Sequence, residues 1–181
     1  MRALVFEDVR QVGHATVPDP EILDPGDVIV RVEAAGVCGS DLHVYRGLET
    51  GLDPGTVMGH ELAGEVVEVG RGVRQLRPGD RVVSPFTTNC GVCFYCRIGL
   101  TARCVLGQLY GWVEKGKGLQ GAQAELVRVP LADATLVRLP EGTPTETALF
   151  AGDNLATGWF GAESAQAGPR RVVSQASARL A

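Results

Sequence analysis

Much of what this chain lacks is informative. No apolar run approaches the roughly 20 residues that a membrane-crossing helix needs, so no membrane partner is expected. The opening MRALVFEDVR carries Glu7, Asp8 and Arg10 within ten positions, and the expectation is a cytoplasmic chain without a secretory leader. Basic charge is not in excess: 17 Lys+Arg stand against 21 Asp+Glu, a formal net charge of −4. That leaves no broad cationic surface for nucleic acid. Internal repeats and low-complexity tracts are missing too. With 45% hydrophobic and 21% charged residues, the composition is that of a globular protein. A length of 181 residues suits one domain with a real core, or one domain plus part of another.

The first two thirds read as short strands separated by Gly, Pro and Asp. Asp24-Pro25-Gly26-Asp27 is a turn that feeds a β-branched run from Val28 to Ala34. Gly64 to Gly70, Arg81 to Val83 (after the turn Pro78-Gly79-Asp80) and Ala124 to Val129 read as further strands. After Pro140 the pattern changes. Thr143-Pro144-Thr145-Glu146 places a capping hydroxyl, a first-turn proline and a capping-box glutamate ahead of a helix expected from Thr145 to Glu163. Arg171-Val172-Val173 reads as the start of another strand.

Cysteine is scarce except in one place. Of five residues, four form Cys90-x2-Cys93-x2-Cys96-x7-Cys104. In a chain without an export signal, this pattern favours reduced thiols around a metal over a disulfide framework. Four thiolates can take the corners of a tetrahedron about 2.3 Å from a Zn²⁺, leaving no open position. Such a site is structural. A second constellation pairs Cys38-Gly39-Ser40-Asp41-Leu42-His43 with Gly59-His60-Glu61. A thiolate, an imidazole and nearby carboxylates, with a serine and a histidine beside them, are the parts of an open zinc site with a proton path.

These three segments together resemble the zinc-dependent medium-chain alcohol dehydrogenase family, from about Met1 to Glu163. The resemblance implies a fold that is mainly β with short helices (α+β): a GroES-like β-barrel with a four-cysteine zinc lobe and a C-terminal helix. It divides the chain into a GroES-like catalytic domain at 1–140, with the zinc lobe at 86–106, a linking helix at 141–168, and an aberrant tail at 169–181. By resemblance, Cys38 and His60 bind a catalytic zinc. Many members supply a cysteine before the Thr-Gly-aromatic signature, here Thr157-Gly158-Trp159. No cysteine stands there in this chain, and Asp153 takes the third ligand position, with Glu61 as a neighbour able to approach the metal. Ser40 and His43 match the catalytic proton relay, Asp41 the group that orients the histidine ligand, and Phe86 a wall of the substrate pocket. His14, without a sequence partner, is expected at the surface.

The implied activity is zinc-assisted hydride transfer from a small-molecule alcohol to NAD(P). The cofactor set is one structural and one catalytic Zn²⁺, with NAD(P) belonging to the parent family. In that family the dinucleotide sits on a domain opening with a strand and G-x-G-x-x-G. Here the chain reads Ser174 to Ala181 after Val173, with no glycine beyond Gly168. The expectation is therefore a catalytic domain that is inactive alone and prone to self-association. A frameshift would account for the tail: one permitted back-translation of Val173 to Ala181, read two nucleotides downstream, gives Q-P-G-V-G-P-V-G. The alternative is a non-enzymatic zinc-binding or scaffold module.

Overall fold

The computed structural model describes residues 1–166. The expected strand at Arg171 to Val173 and the tail from 169 lie outside the described residues. The chain opens with an antiparallel hairpin of β1 (Arg2–Asp8) and β2 (Gln11–Thr16). A turn then leads into β3 (Val28–Ala35). Its Asp27 carboxylate accepts N–H groups from Leu23 and Asp24 at 3.1 and 3.0 Å and pairs with Arg128 at 3.0 Å. One carboxylate oxygen, Oδ2, thus fixes the turn with three bonds, while Oδ1 is buried without a partner. Helix α1 (Gly39–Tyr45) follows, then β4 (Leu62–Val69) and β5 (Arg81–Ser84). The cysteine lobe carries the short helix α2 (Phe94–Arg97). Beyond it come the hairpin strands β6 (Trp112–Glu114) and β7 (Lys117–Leu119), then β8 (Leu126–Val129), the one-turn helix α3 (Ala132–Thr135) and β9 (Val137–Arg138).

The main sheet has five antiparallel strands in the order β8-β3-β4-β5-β9. Register shifts in the β3–β4 pair, between Ile29 and Val30 and between Val32 and Ala34, curl the sheet in the way that bulges do. The strands do not close into a continuous ladder. The β1–β2 hairpin is instead tied on by single bridges, Ala3 to Ala124 and Val5 to Val57. One side of the curl holds the largest apolar cluster, which includes Val28, Val30, Leu62, Val66, Val82, Tyr110, Leu119, Val127 and Val129. Among the described residues no helix is long and apolar enough to cross a membrane.

The C-terminal segment departs from expectation in two ways. First, the helix is not capped by Thr143. The N-cap of α4 (Thr145–Gly152) is Pro144, with no side-chain cap. The Thr143 carbonyl accepts from Arg81 Nη1 at 2.8 Å, and the Thr145 hydroxyl accepts from Arg81 Nη2 at 2.6 Å while donating to Glu33 Oε2 at 2.8 Å. The Thr143 N–H that the Glu146 side chain would cap donates to the Pro140 carbonyl at 3.2 Å, and the charge-assisted bonds to Arg81 and Glu33 staple the start of α4 to β3 and β5. Second, the helix breaks at Asp153, whose φ of −136° and ψ of −63° are non-helical, and restarts as α5 (Asn154–Ser164). The reason is contact with the sheet: a Cβ on Gly152 would stand 2.4 Å from the Ser84 carbonyl oxygen. The chain reaches β5 at Gly152, and Asp153 turns inward.

Candidate metal centres and cleft

The lobe gathers all four of its thiols. The Sγ atoms of Cys90, Cys93, Cys96 and Cys104 lie within 4.8 Å of one another, and those of Cys93 and Cys104 are 4.0 Å apart. That separation is far beyond a disulfide bond, and it is close to the edge of about 3.8 Å set by four sulfurs 2.3 Å from a central zinc. Backbone N–H groups point at the sulfurs: Cys90 and Leu106 donate to Cys104 Sγ at 3.2 and 3.4 Å, and Cys93 donates to Cys90 Sγ at 3.4 Å. Hydrogen bonds of this kind favour the thiolate. The N–H groups of Cys96 and Val105 lower Cys93 to about 6, while desolvation beside the other sulfurs pushes Cys96 up to about 11. Backbone N–H groups of Val92 and Cys93 lower Cys90 as well, so negative charge is favoured at two of the four sulfurs. Asn89 and Thr135 join the lobe to the barrel: the Asn89 N–H donates to Thr135 Oγ1 at 2.9 Å, and the hydroxyl donates back to the Asn89 carbonyl at 3.2 Å.

The second cluster is assembled from three distant segments. Cys38 is the N-cap of α1, with φ −93° and ψ 161°. Asp41 Oδ2 accepts the Cys38 N–H at 2.8 Å, and Asp41 Oδ1 lies 3.6 Å from His60 Nδ1. One carboxylate thus fixes the start of α1 and engages the outer nitrogen of the imidazole. His60 Nε2 faces inward, 3.7 Å from Asp153 Oδ2 and 3.4 Å from Ser40 Oγ. His60 and Glu61 sit just ahead of β4 and are buried. Ligand atoms of Cys38, His60, Glu61 and Asp153 all lie within 4.8 Å of one another. The break between α4 and α5 delivers Asp153, and Thr157 on α5 holds it by donating its hydroxyl to Oδ1 at 2.8 Å.

The electrostatics of this cluster call for a cation. Burial opposes charge on His60, yet the Asp153 and Asp41 carboxylates outweigh it and raise the imidazole to about 11. Burial raises Glu61, aided by the Asp153 charge, whereas the His60 contact lowers Asp153. Glu61 Oε1 is buried without a hydrogen-bond partner, a costly state for a carboxylate oxygen. Its Oε2 accepts from Asn154 Nδ2 at 3.1 Å. A divalent ion would satisfy the orphaned oxygen and the crowded negative charge together. The donor set fits a zinc: Cys38, His60 and Asp153 would supply sulfur, nitrogen and oxygen ligands, with Glu61 beside them.

Sequence reasoning missed Asn154 and Gly36. A Cβ at Gly36 would stand 2.1 Å from Glu61 Oε2, so a side chain there would displace the Glu61 carboxylate from its place in the cluster. A glycine before a cysteine and an asparagine after an aspartate carry no signal for such a contact. Ser40 and His43 are not joined: the described residues show no hydrogen bond between them, and His43 Nδ1 instead lies 3.7 Å from Glu49 Oε1 at the exposed end of α1. Phe86 does line the cleft over the cluster, a cavity of about 340 Å³ that Ser40, His60 and Asp153 also line. His14 is exposed on β2. One G-x-G-x-x-G run occurs, Gly116-Lys117-Gly118-Leu119-Gln120-Gly121. It spans the β6–β7 turn and β7 rather than a strand–turn–helix, so it lacks the context of a dinucleotide fingerprint.

Residues 24–141 match the family described as "Alcohol dehydrogenase GroES-like domain". Medium chain reductase/dehydrogenase ucsI from an Acremonium species is 49% identical over 168 residues, covering 93% of this chain and 56% of that protein. Zinc-type alcohol dehydrogenase B of Aspergillus flavus is 46% identical over 177 residues, 97% of this chain and 40% of that protein. Among solved structures, alcohol dehydrogenase TADH from Thermus sp. ATN1 superimposes with a TM-score of 0.86 at 46% identity, over 92% of this chain and 48% of that one. The chain spans about half the length of the curated relatives it matches.

Proposed function

Since the chain belongs to the zinc-type alcohol dehydrogenase family through its GroES-like domain, we propose that it is the metal- and substrate-binding half of an oxidoreductase acting on a small-molecule alcohol. The observation that carries this reading is the convergence of Cys38, His60, Glu61 and Asp153, with Glu61 Oε1 left unpartnered and with His60 and Asp153 lining a cleft. Cys38, His60 and Asp153 would hold a catalytic zinc, with Glu61 at its side, and Cys90, Cys93, Cys96 and Cys104 a structural one. When bound, the catalytic ion supplies a Lewis acid that lowers the pKa of an alcohol oxygen.

The chain's own residues then have separate tasks. Asp41 keeps the His60 ring oriented with Nε2 toward the cleft. The Ser40 hydroxyl, in the same cleft, accepts the proton leaving the alcohol and passes it outward along α1. His43, one turn further on and open to solvent, receives it. Because no direct hydrogen bond links the two, a bridging hydroxyl or water completes the path. Hydride transfer to NAD(P) needs a dinucleotide site, and the described residues offer no strand–glycine turn–helix to hold one. The 181-residue polypeptide is expected to bind metal and to leave a nicotinamide unreduced when assayed by itself.

Elemental analysis tests the reading. The purified chain should carry two zinc ions, and Cys38→Ser should lose one of them while the lobe keeps the other. A single ion that survives Cys38→Ser would leave a zinc-binding module and overturn the proposal. Reduction of NAD⁺ or NADP⁺ by the chain alone would overturn its dependence on a separate dinucleotide site.

A further inference from the structure

The cleft wall narrows the class of alcohol, an inference that rests on the reading above. Polar groups in the cleft are sorted by position. Ser40, Asp41, His60, Asp153 and Thr157 are neighbours around the His60 ring, and several are already committed: the Thr157 hydroxyl to Asp153, and Asp41 to the Cys38 N–H and the His60 ring. The body of the cleft is built from Val44, Leu52, Met58, Phe86, Leu109 and Trp112. Tyr110 also lines it, but its hydroxyl is buried and accepts from Ser84 Oγ at 3.0 Å. Beyond the cluster, the polar groups that the lining offers are the Trp112 indole N–H, the Gly111 backbone and the Glu49 carboxylate, and the remaining wall is apolar. Among the described residues neither lysine nor arginine lines the cleft. Its one charged wall residue beyond the metal end is Glu49, whose side chain is half exposed and lies 3.7 Å from His43.

We propose that this cleft selects alcohols bearing a single hydroxyl on an apolar body, rejects polyols and anionic alcohols, and uses Glu49 to set the preference between cationic and anionic substituents. Each further hydroxyl carried onto the apolar wall gives up water without gaining a partner, a loss of roughly tenfold or more in affinity. A carboxylate or phosphate enters a site whose only fixed wall charge is negative and finds no basic side chain to pair with. A cavity of about 340 Å³ is at the small end for ligand sites, so the apolar body is of the size of a short aliphatic chain or one aromatic ring.

The test uses the full chain with Co²⁺ in the Cys38, His60, Asp153 site, whose visible spectrum changes when a ligand reaches the metal. Four probes are titrated at pH 8.5 and low salt: benzyl alcohol, 4-(aminomethyl)benzyl alcohol, 4-(hydroxymethyl)benzoate and xylitol. The expected result is that xylitol and the benzoate bind at least about tenfold more weakly than benzyl alcohol, and that the ammonium compound does not. Glu49→Gln should shrink the ammonium-to-carboxylate affinity ratio by about threefold or more. Xylitol or the benzoate binding as well as benzyl alcohol would overturn the selectivity while leaving the metal-bound alcohol intact. An unchanged ratio in Glu49→Gln would remove Glu49 from the proposal. Failure of all four probes on a chain showing the cobalt spectrum would overturn the alcohol-binding reading itself, and this inference with it.

Discussion

Stripping the metal from the inner cluster should turn His60 into a stable cation. Burial works against charge on the ring, but the carboxylates of Asp153 and Asp41, 3.7 and 3.6 Å from its two nitrogens, outweigh it and raise its pKa from 6.5 to about 11. Zinc accepts only the neutral imidazole, so each ion that enters must expel that proton. At pH 8 the metal-free site sits about three units below the pKa of His60. At about 1.4 kcal/mol per unit, the proton then competes with the ion by about 4 kcal/mol, or roughly a thousandfold in apparent affinity. Affinity for zinc should therefore climb about tenfold per pH unit between pH 7 and 10 from His60 alone. Calorimetry of zinc binding in buffers of different ionisation heat counts the protons released, and ring NMR of the chelator-treated chain, with only three histidines, reads the protonation state directly. The sign for stability follows. A pKa raised above the unfolded value contributes fully below about pH 6.5 and is lost as pH rises through about 11. The metal-free chain should melt progressively lower across that window, whereas the zinc-loaded chain, with His60 held neutral and only its Nδ1 protonated, should not show this loss. A metal-free His60 titrating near 6.5, or zinc binding without proton release, would refute the reasoning.

Other outcomes follow from single contacts. Gly152→Ala places a Cβ 2.4 Å from a backbone oxygen of β5; the strand cannot yield, so the α4–α5 junction must move, costing about 1–3 kcal/mol in urea unfolding and weakening zinc retention at the Asp153 site. An unchanged midpoint with two zinc ions would show that the junction is looser than argued. Arg81→Met removes the bonds from Arg81 to Thr143, Thr145 and Glu33 and leaves only the direct Thr145–Glu33 bond, and limited proteolysis should then cut near the start of α4 before it cuts the main sheet. Cys104→Ser removes the sulfur that accepts N–H groups from both Cys90 and Leu106; it should release one zinc and open the lobe, and the inner cluster should keep its ion.

The two kinds of site were unequally legible. A four-cysteine cluster running from Cys90 to Cys104 can be read from spacing, because a short loop leaves its thiols few places to go. The strands at Val28, Leu62, Arg81 and Leu126 were visible for a similar local reason: β-branched runs between turn residues have one way to bury themselves. The helix after Pro140 was only half right. Its sequence carries a capping box, yet the Thr143 N–H donates to the Pro140 carbonyl instead, and the start of the helix is held by Arg81 and by Glu33, which lies 112 residues from Thr145. Its break at Asp153 has no sequence signal at all, because the cause is a carbonyl oxygen on β5.

Sequence by itself determined which residues could serve as ligands and where the strands and the cysteine lobe begin, since spacing and alternation act over a few residues. Tertiary structure decided which candidates meet. It alone carried Asp153 to His60, left Glu61 Oε1 without a partner, enlisted Asn154 and Gly36, and set His43 beside Glu49 instead of Ser40. The physical reason is range: a ligand set drawn from positions 38, 60, 61 and 153 is fixed by sheet register and helix packing, and those follow from the whole core rather than from any local run of residues.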